Sequence, residues 1–482
     1  MKKRTKIVAT VGPSCDSTKK LEELIRAGVN VFRLNFSHGD YAYHKMALKR
    51  IREAIKKTGF TVGVLQDISG PKIRVGELKQ SFELRSGDIL EFTQEDIVGY
   101  RAEDAHYRLT LNKKEILQKL HIGQFIYLYD GIIRAKVTEI KNGSVFTTIE
   151  NDGILNSKKG VNFPNSYINI DVLTLKDRKD IEWGVKNSVD FMAISFVQNA
   201  QDMINARKIV DEHGGKQMLI AKIEKFDAIE NIDAILKESD GIMVARGDLG
   251  IEVPFYEVPN IQKMLIKKAN EASKPVITAT QMLLSMTKSQ RASRAEISDI
   301  ANAVLDGTDA VMLSEESAIG DYPVLAVKTM YETIKEAEKE YPYHKFYEHK
   351  HKEITTAIDE SAVRLSRDLN TAGLISLTNS GNSARKLAKY RPSKPIYAIT
   401  HNDKVHRQLT LSWGVVPAFS IKKSSINQTL KDVINKGLKM DILDEKKTYI
   451  LTAGNPIGVS GSTNVIRVLN TDGMEFFKNI NT

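Results

Sequence analysis

The sequence predicts an α/β chain: a (β/α)₈ barrel carrying an inserted all-β lid domain, followed by a C-terminal α/β domain. Three observations carry this. Eight short apolar runs alternate with amphipathic helical patterns, the mark of a parallel sheet wrapped by helices. The alternation breaks once, for roughly 120 residues after the third run. It resumes after the charged stretch HKFYEHKHKE (344–353). A chain of 482 residues has room for about three domains and more than one core.

The barrel runs begin at Lys6 (KIVATV), Val29 (VNVFRLNFS), Val62 (VGVLQDI), Phe191 (FMAISF), Leu219 (LIAKIE), Gly241 (GIMVARGD), Pro275 (PVITATQ) and Ala310 (AVMLSEE). Helical patterns such as LEELIRAG and NARKIVDEHG follow them, placing the barrel at 1–70 and 165–345. Between its halves lie DILEF, QFIYLYDG, IRAKVTEI and SVFTTIE, separated by Gly-Asp, Asp-Gly and Asn-Gly. Such β-branched and aromatic runs with tight-turn residues predict an all-β domain at 71–164. It hangs on the loop after the third strand, which opens on the catalytic face, so it is placed to act as a lid. LISLT, PIYAIT, VVPAFS, TYILTAG and NVIRVLN then predict a third domain at 346–482 with its own sheet.

Composition excludes several classes. Cys15 is the single cysteine, which removes disulfide frameworks and cysteine zinc sites and fits a reducing compartment. The basic start MKKRTKIVATVG has an apolar run too short for a signal peptide or membrane span, so a soluble, cytoplasmic protein is expected. The 70 Lys+Arg against 60 Asp+Glu give +10, but acids are interleaved, as in KRIREAIKK and KEAEKE. We expect a lysine-rich surface with an anionic small-molecule site, and neither a nucleic-acid nor a membrane partner.

Polar residues at the C-terminal ends of barrel strands are the place to seek chemistry. Residues two apart on a strand share a direction: Arg33, Asn35 and Ser37 oppose Phe32, Leu34 and Phe36, and Lys222 shares a face with Glu224. Asp67, Asp248, Thr280, Gln281, Ser314, Glu315 and Glu316 close other strands. Acids, a lysine and an arginine converging on one mouth are costly to bury without an ionic ligand. Two carboxylates on adjacent strands suit Mg²⁺ or Mn²⁺, Lys222 can neutralise a transferring group, and Arg33 offers a fork for phosphate. No GxxxxGK[ST], strand-following GxGxxG or HExxH motif is present.

RLNFSHG (33–39), GPKIR (70–74), SKKGVNFP (157–164), AKIE (221–224), MVARGDLG (243–250), TATQML (278–283), SRAE (293–296) and NAVLDGTDAVMLS (302–314) together resemble pyruvate kinase. They fall in that family's order over essentially the whole chain. The resemblance implies phosphoryl transfer from phosphoenolpyruvate to ADP, giving pyruvate and ATP. It implies that Glu224 and Asp248 hold Mg²⁺ (Mn²⁺ being an alternative) and that Lys222 stabilises the phosphoryl group. Thr280, with the backbone of Ala245, Arg246 and Gly247, would cradle the substrate. Arg33 and Arg74 would meet phosphate and nucleotide, with His38 and Lys159 towards the nucleotide. The alternative reading is another Mg²⁺-dependent pyruvate or phosphoenolpyruvate barrel enzyme, an aldolase or lyase, which would not need ADP.

Three departures stand out. Lys72 occupies the place of Glu in the GPEIR of potassium-dependent members, whose K⁺ pocket matches Asn35, Ser37, Asp67 and the Ile68 carbonyl. A tethered ammonium there makes a free monovalent cation redundant, so K⁺ is expected not to be required. The stretch TKSQRAS (287–293) lacks the family's prolines, leaving more backbone freedom and implying altered cooperativity. LSEESA places Glu315 where the family has glycine.

TNSGNSARKLAKYRP (378–392) clusters Thr, Ser and Gly before a helix, a pattern that favours phosphate. The resemblance makes Thr378, Asn379, Ser380, Gly381 and Ser383 ligands of an allosteric effector, expected to be a sugar phosphate (a monophosphate) or AMP, with NPIGVSGSTN (455–464) as the other wall. It also implies a homotetramer.

Overall fold

The computed structural model describes residues 3–164, 166–168, 170–346, 353–422, 424–455 and 463–480. Eight parallel strands close the barrel: β1 (Lys6–Thr10), β2 (Val31–Asn35), β3 (Gly63–Asp67), β4 (Phe191–Ile194), β5 (Met218–Ile223), β6 (Gly241–Ala245), β7 (Val276–Ala279) and β8 (Ala310–Leu313). Each pairs with its sequence neighbours, and β8 closes on β1. The period of two sorts the side chains. Val8, Val31, Leu65, Ala193, Ile220, Met243, Ile277 and Met312 fill the barrel interior. Ile7, Phe32, Leu34, Phe36, Val64 and Ile223 pack outward against the helices.

The insertion forms a seven-stranded sheet, in the order Val161–Asn162, Phe125–Leu128, Ile133–Lys141, Ser144–Ile149, Ile89–Thr93, His106–Thr110 and Tyr100–Glu103, beside the pair Gly153–Leu155 and Phe82–Leu84. Leu90, Phe92, Leu109, Ile126, Val137, Val145 and Phe163 form its own core. The chain enters it through Gly70 at φ +67°; a side chain there would meet Ser195 and Phe196, its Cβ 2.9 Å and 2.7 Å from their atoms.

Beyond the barrel, β9 (Gly373–Leu377), β10 (Ile396–Thr400), β11 (Val415–Ser420), β12 (Tyr449–Gly454) and β13 (Thr463–Leu469) form a sheet in the order β11-β10-β9-β12-β13. Only β13 is antiparallel to its neighbour. This domain is fastened to the barrel floor by buried Arg391, which donates to the Gly307 carbonyl at 2.7 Å and pairs with Asp309 at 3.2 Å. The middle of the charged stretch (347–352) and most of NPIGVSGSTN (456–462) lie outside the described residues.

The proline-poor stretch 287–293 is bounded by serine hydrogen bonds. Ser293 caps the helix Arg294–Asp306 in a capping box with Glu296, whose carboxylate also accepts from the Ser285 N–H and hydroxyl at 2.7 and 2.5 Å.

Candidate active site

Continuing the inward rows of the barrel by two residues beyond Val31, Leu65, Ala193 and Ile220 places Arg33, Asp67, Ser195 and Lys222 together at the C-terminal mouth. Asp67 is 1% exposed. It accepts from Arg33 Nε at 2.7 Å and lies 3.2 Å from Lys222 Nζ. Burial alone would raise its pKa, but Lys222 and Arg33 outweigh burial and hold it below the usual carboxylate range. Lys222 Nζ also lies 2.9 Å from Glu224 Oε1 and donates to Ser195 Oγ at 2.7 Å. Burial works against its charge, yet Asp67 and Glu224 raise its pKa above that of an ordinary lysine. Arg33 Nη1 donates to Thr10 Oγ1 at 3.0 Å, which fixes the guanidinium plane.

Glu224, 1% exposed, accepts from Phe196 N–H at 2.7 Å. Burial raises its pKa and nearby Asp248 raises it further, against the pull of Lys222. Arg33 and Lys222 are thus paired with Asp67 and Glu224, while Asp248 stands close to Glu224. Carboxylate oxygens each accept more than one partner, so this oxygen donor set fits a hard divalent cation. Among the described residues no group of three or more His, Cys, Asp or Glu side chains could hold a metal. A metal held by two carboxylates has coordination positions left for substrate and water, as Mg²⁺ prefers.

Asp248 sits on the short helix Arg246–Glu252, directly after β6. Across from it, Thr280 ends β7 at φ +70°, a strained setting for a β-branched residue. Its hydroxyl accepts from Gly247 N–H at 2.9 Å and donates to the Ala279 carbonyl at 2.6 Å. The Arg246 side chain turns away from the mouth, donating to the Thr280 carbonyl at 2.7 Å and pairing with Asp299 at 2.6 Å. It holds the strained turn, so only its backbone is left for a substrate.

A narrow cleft between lid and barrel is lined by Lys72, Val161, Phe196, Lys225, Asp248 and Glu252. Asn162 of the lid donates to Glu252 at 3.0 Å, and Lys225 lies 3.6 Å from the same carboxylate. This latch is a contact the sequence reading missed.

Lys72 is not brought into the monovalent-cation pocket in this structure. Its Nζ lies 3.6 Å from Asp130 of the lid, because the lid carries this hinge segment. The pocket groups are engaged locally: Asn35 Oδ1 accepts from Ser37 N–H at 3.1 Å, Asp67 serves Arg33 and Lys222, and the Ile68 carbonyl accepts from Ser195 at 2.6 Å. Arg74 donates to the Lys158 carbonyl at 2.9 Å and Lys159 Nζ stands 4.0 Å over the Tyr129 ring, both on the lid. His38 is exposed on the loop after β2, its carbonyl contacting His44 Nε2 at 2.9 Å.

At β8 the two glutamates divide. Glu316 is buried and accepts from Leu283 N–H (3.0 Å) and Ser314 N–H (2.7 Å), bracing the ends of β7 and β8. Glu315 is exposed at the start of a helical turn. In the C-terminal domain, Thr378 Oγ1 accepts from Gly381 N–H at 3.0 Å, Gly381 takes φ +84°, and the Ser383 and Thr463 hydroxyls meet at 2.6 Å. Arg385 donates to the Ser380 carbonyl at 2.9 Å. Asn379 lies between these groups in the loop before the helix Asn382–Lys389.

Comparison with known proteins decides what this arrangement is. Residues 2–327 match the family model for the pyruvate kinase barrel domain, and residues 356–469 match that for its alpha/beta domain. The chain belongs to the pyruvate kinase family. It is 42% identical to pyruvate kinase of Geobacillus stearothermophilus over 97% of this chain and 80% of that one. It is 40% identical to that of Clostridium acetobutylicum over 96% of this chain and 99% of the other. A crystal structure of a pyruvate kinase from Cryptosporidium parvum superposes with a TM-score of 0.90 at 34% identity, covering 97% and 96% of the two chains. Membership implies phosphoryl transfer from phosphoenolpyruvate to ADP and use of a divalent metal ion. Among the described residues no helix is long and apolar enough to cross a membrane.

Proposed function

We propose that the cluster of Arg33, Asp67, Lys222 and Glu224, completed by Asp248 and Thr280, transfers the phosphoryl group of phosphoenolpyruvate to ADP. The observation that carries this is a buried lysine held between two carboxylates. Glu224 and Asp248 would hold Mg²⁺, or Mn²⁺, which when bound supplies concentrated positive charge to substrate oxygens. Arg33, anchored through Nε and Nη1, has N–H groups left to orient the phosphate. The ADP terminal oxygen forms a bond to phosphorus as the bond to the enol oxygen breaks. Lys222 neutralises the charge spreading over the moving oxygens. The pyruvate enolate left behind then takes a proton at its methylene carbon, with Thr280 and a water path near Ser314 as candidate donors. The backbone of Ala245, Arg246 and Gly247 would seat the substrate carboxylate. Arg74, His38 and Lys159 would meet the nucleotide when the lid descends.

Lys72 would serve as the built-in monovalent cation, so that K⁺ is not required. It lies just beyond the hinge residue Gly70 and lines the same cleft as Asp248, so lid closure can redirect it from exposed Asp130. The loop of Thr378, Asn379, Ser380, Gly381 and Ser383 would bind the phosphate of a sugar monophosphate or of AMP. The working form would be a cytoplasmic homotetramer. Pyruvate release from phosphoenolpyruvate, ADP and Mg²⁺, without K⁺ or NH₄⁺, tests the core of this reading. Full activity is expected, and dependence on ADP separates it from an aldolase or lyase. No activity with or without K⁺ or candidate effectors would overturn it.

A further inference from the structure

Lys222 has three N–H bonds and three partners: Glu224 Oε1, Asp67 Oδ1 and Ser195 Oγ. The hydroxyl is the only neutral partner, and it makes the shortest contact, 2.7 Å. Ser195 is 1% exposed. Its single hydrogen goes to the Ile68 carbonyl at 2.6 Å, so only its lone pairs are free to meet the ammonium. The direction of the chain from Lys222 through Ser195 to Ile68 is therefore fixed.

The next residue extends the arrangement. Phe196 stands at φ +57° and donates its N–H to Glu224 Oε2 at 2.7 Å. A Cβ on Gly70, the entry to the lid, would fall 2.9 Å from Ser195 Cβ and 2.7 Å from the Phe196 ring. One turn after β4 thus touches the transferring cation, a metal-side carboxylate and the lid hinge. We infer that Ser195 is a positioning residue for phosphoryl transfer, its hydroxyl aiming the Lys222 ammonium and tying it to the backbone on which the lid turns. This rests on the role proposed above for Lys222. A carboxylate here would add charge to an ammonium already between two acids, whereas a hydroxyl adds direction alone. The Ile68 carbonyl belongs to the monovalent-cation pocket, so occupancy of that pocket and the aim of Lys222 share one hydrogen-bonded link.

The test is steady-state turnover of phosphoenolpyruvate and ADP with Mg²⁺ by the full chain, Ser195→Ala and Ser195→Thr. Misaiming a reacting group costs about 10- to 100-fold. Ser195→Ala is expected to lose at least tenfold in kcat, with KM for both substrates within twofold, because both ion pairs of Lys222 survive. Ser195→Thr keeps the hydroxyl and is expected to recover most of the loss. Should the alanine variant fail to fold, Ser195→Cys, similar in size but a weak acceptor, replaces it with the same expected loss. An alanine or cysteine variant within twofold of wild-type kcat overturns the inference. So does a loss carried by KM, or a folded threonine variant as slow as alanine. A wild-type chain that releases no pyruvate overturns instead the functional reading beneath it.

Discussion

Asp67→Asn tests the electrostatic logic of the mouth with no change of shape. Asp67 receives Arg33 Nε at 2.7 Å and Lys222 Nζ at 3.2 Å while 1% exposed. An asparagine has one acceptor oxygen and an NH₂ group, so one of those donors must face another donor, and two cations are left with Glu224 and Asp248. Removing one partner of a buried pair costs about 3–5 kcal/mol. Taking the lower end and about 2–4 °C per kcal/mol for a domain of this size, the barrel's unfolding midpoint should fall by at least about 5 °C. Scanning calorimetry at fixed protein concentration reads this, since assembly would otherwise move the midpoint. The sign with pH follows from the lowered folded pKa of Asp67. Its contribution is present above the unfolded carboxylate range and disappears as pH falls through the folded value. The gap between wild type and variant should therefore be full at pH 7 and narrow only in strong acid. Turnover should fall at least about 100-fold, as both cations lose their aim. A midpoint within 1 °C (about 0.5 kcal/mol or less) with kcat within about threefold of wild type (under 1 kcal/mol) would refute the reasoning.

Other consequences are open to direct measurement. Lys72→Glu should make pyruvate release dependent on K⁺, and strong K⁺ activation of the wild type would remove Lys72 from the role of built-in cation. Ser383→Ala should abolish the response of thermal stability and substrate cooperativity to a sugar monophosphate or AMP, and an unchanged response would discard the loop as the effector site. Asp359 is buried with neither carboxylate oxygen hydrogen-bonded, and burial pushes its pKa up to about 8 against the pull of Lys386. Wild-type stability should therefore fall as pH rises from the ordinary carboxylate range to about 8, by up to about 1.4 kcal/mol per pH unit. Asp359→Asn should flatten that slope in denaturant titrations, and an unaltered slope would assign it to another group. Light scattering should give four times the 54.0 kDa chain mass, and a monomer would refute the tetramer.

The barrel was legible because a strand has a period of two and its mouth is charged. Phe32, Leu34 and Phe36 pack against helices while Arg33 turns inward, as the alternation in VFRLNFS requires. The same rule reaches Ser195, two beyond inward-facing Ala193, but a serine in FMAISF carries no charge to mark it. Its meaning appears only when β4 and β5 pair at Ile194 and Ala221 and bring Lys222 beside it. Arg246 shows a different limit. Its motif marks the segment, yet the pairing of Ala245 with Ala279 decides that its side chain grips the Thr280 turn. Lys72 was marked by its motif alone, and where this hinge lysine points depends on a lid residue remote in sequence, Asp130.

Charge balance joins these observations. Arg33 and Lys222 are each already paired to a carboxylate, and Asp248 adds a further acid close to Glu224. A substrate bearing a phosphate and a carboxylate would meet cations already engaged by acids. If Glu224 and Asp248 hold the metal as proposed, a divalent cation between them would couple substrate entry to metal. Two of these carboxylates, Asp67 and Glu224, hold the proton of Lys222 against its burial. On the role proposed for Lys222, that lysine would have to remain a cation until phosphorus has moved, and a partner that aims it without adding charge, as Ser195 would, bears on how well the site performs its transfer.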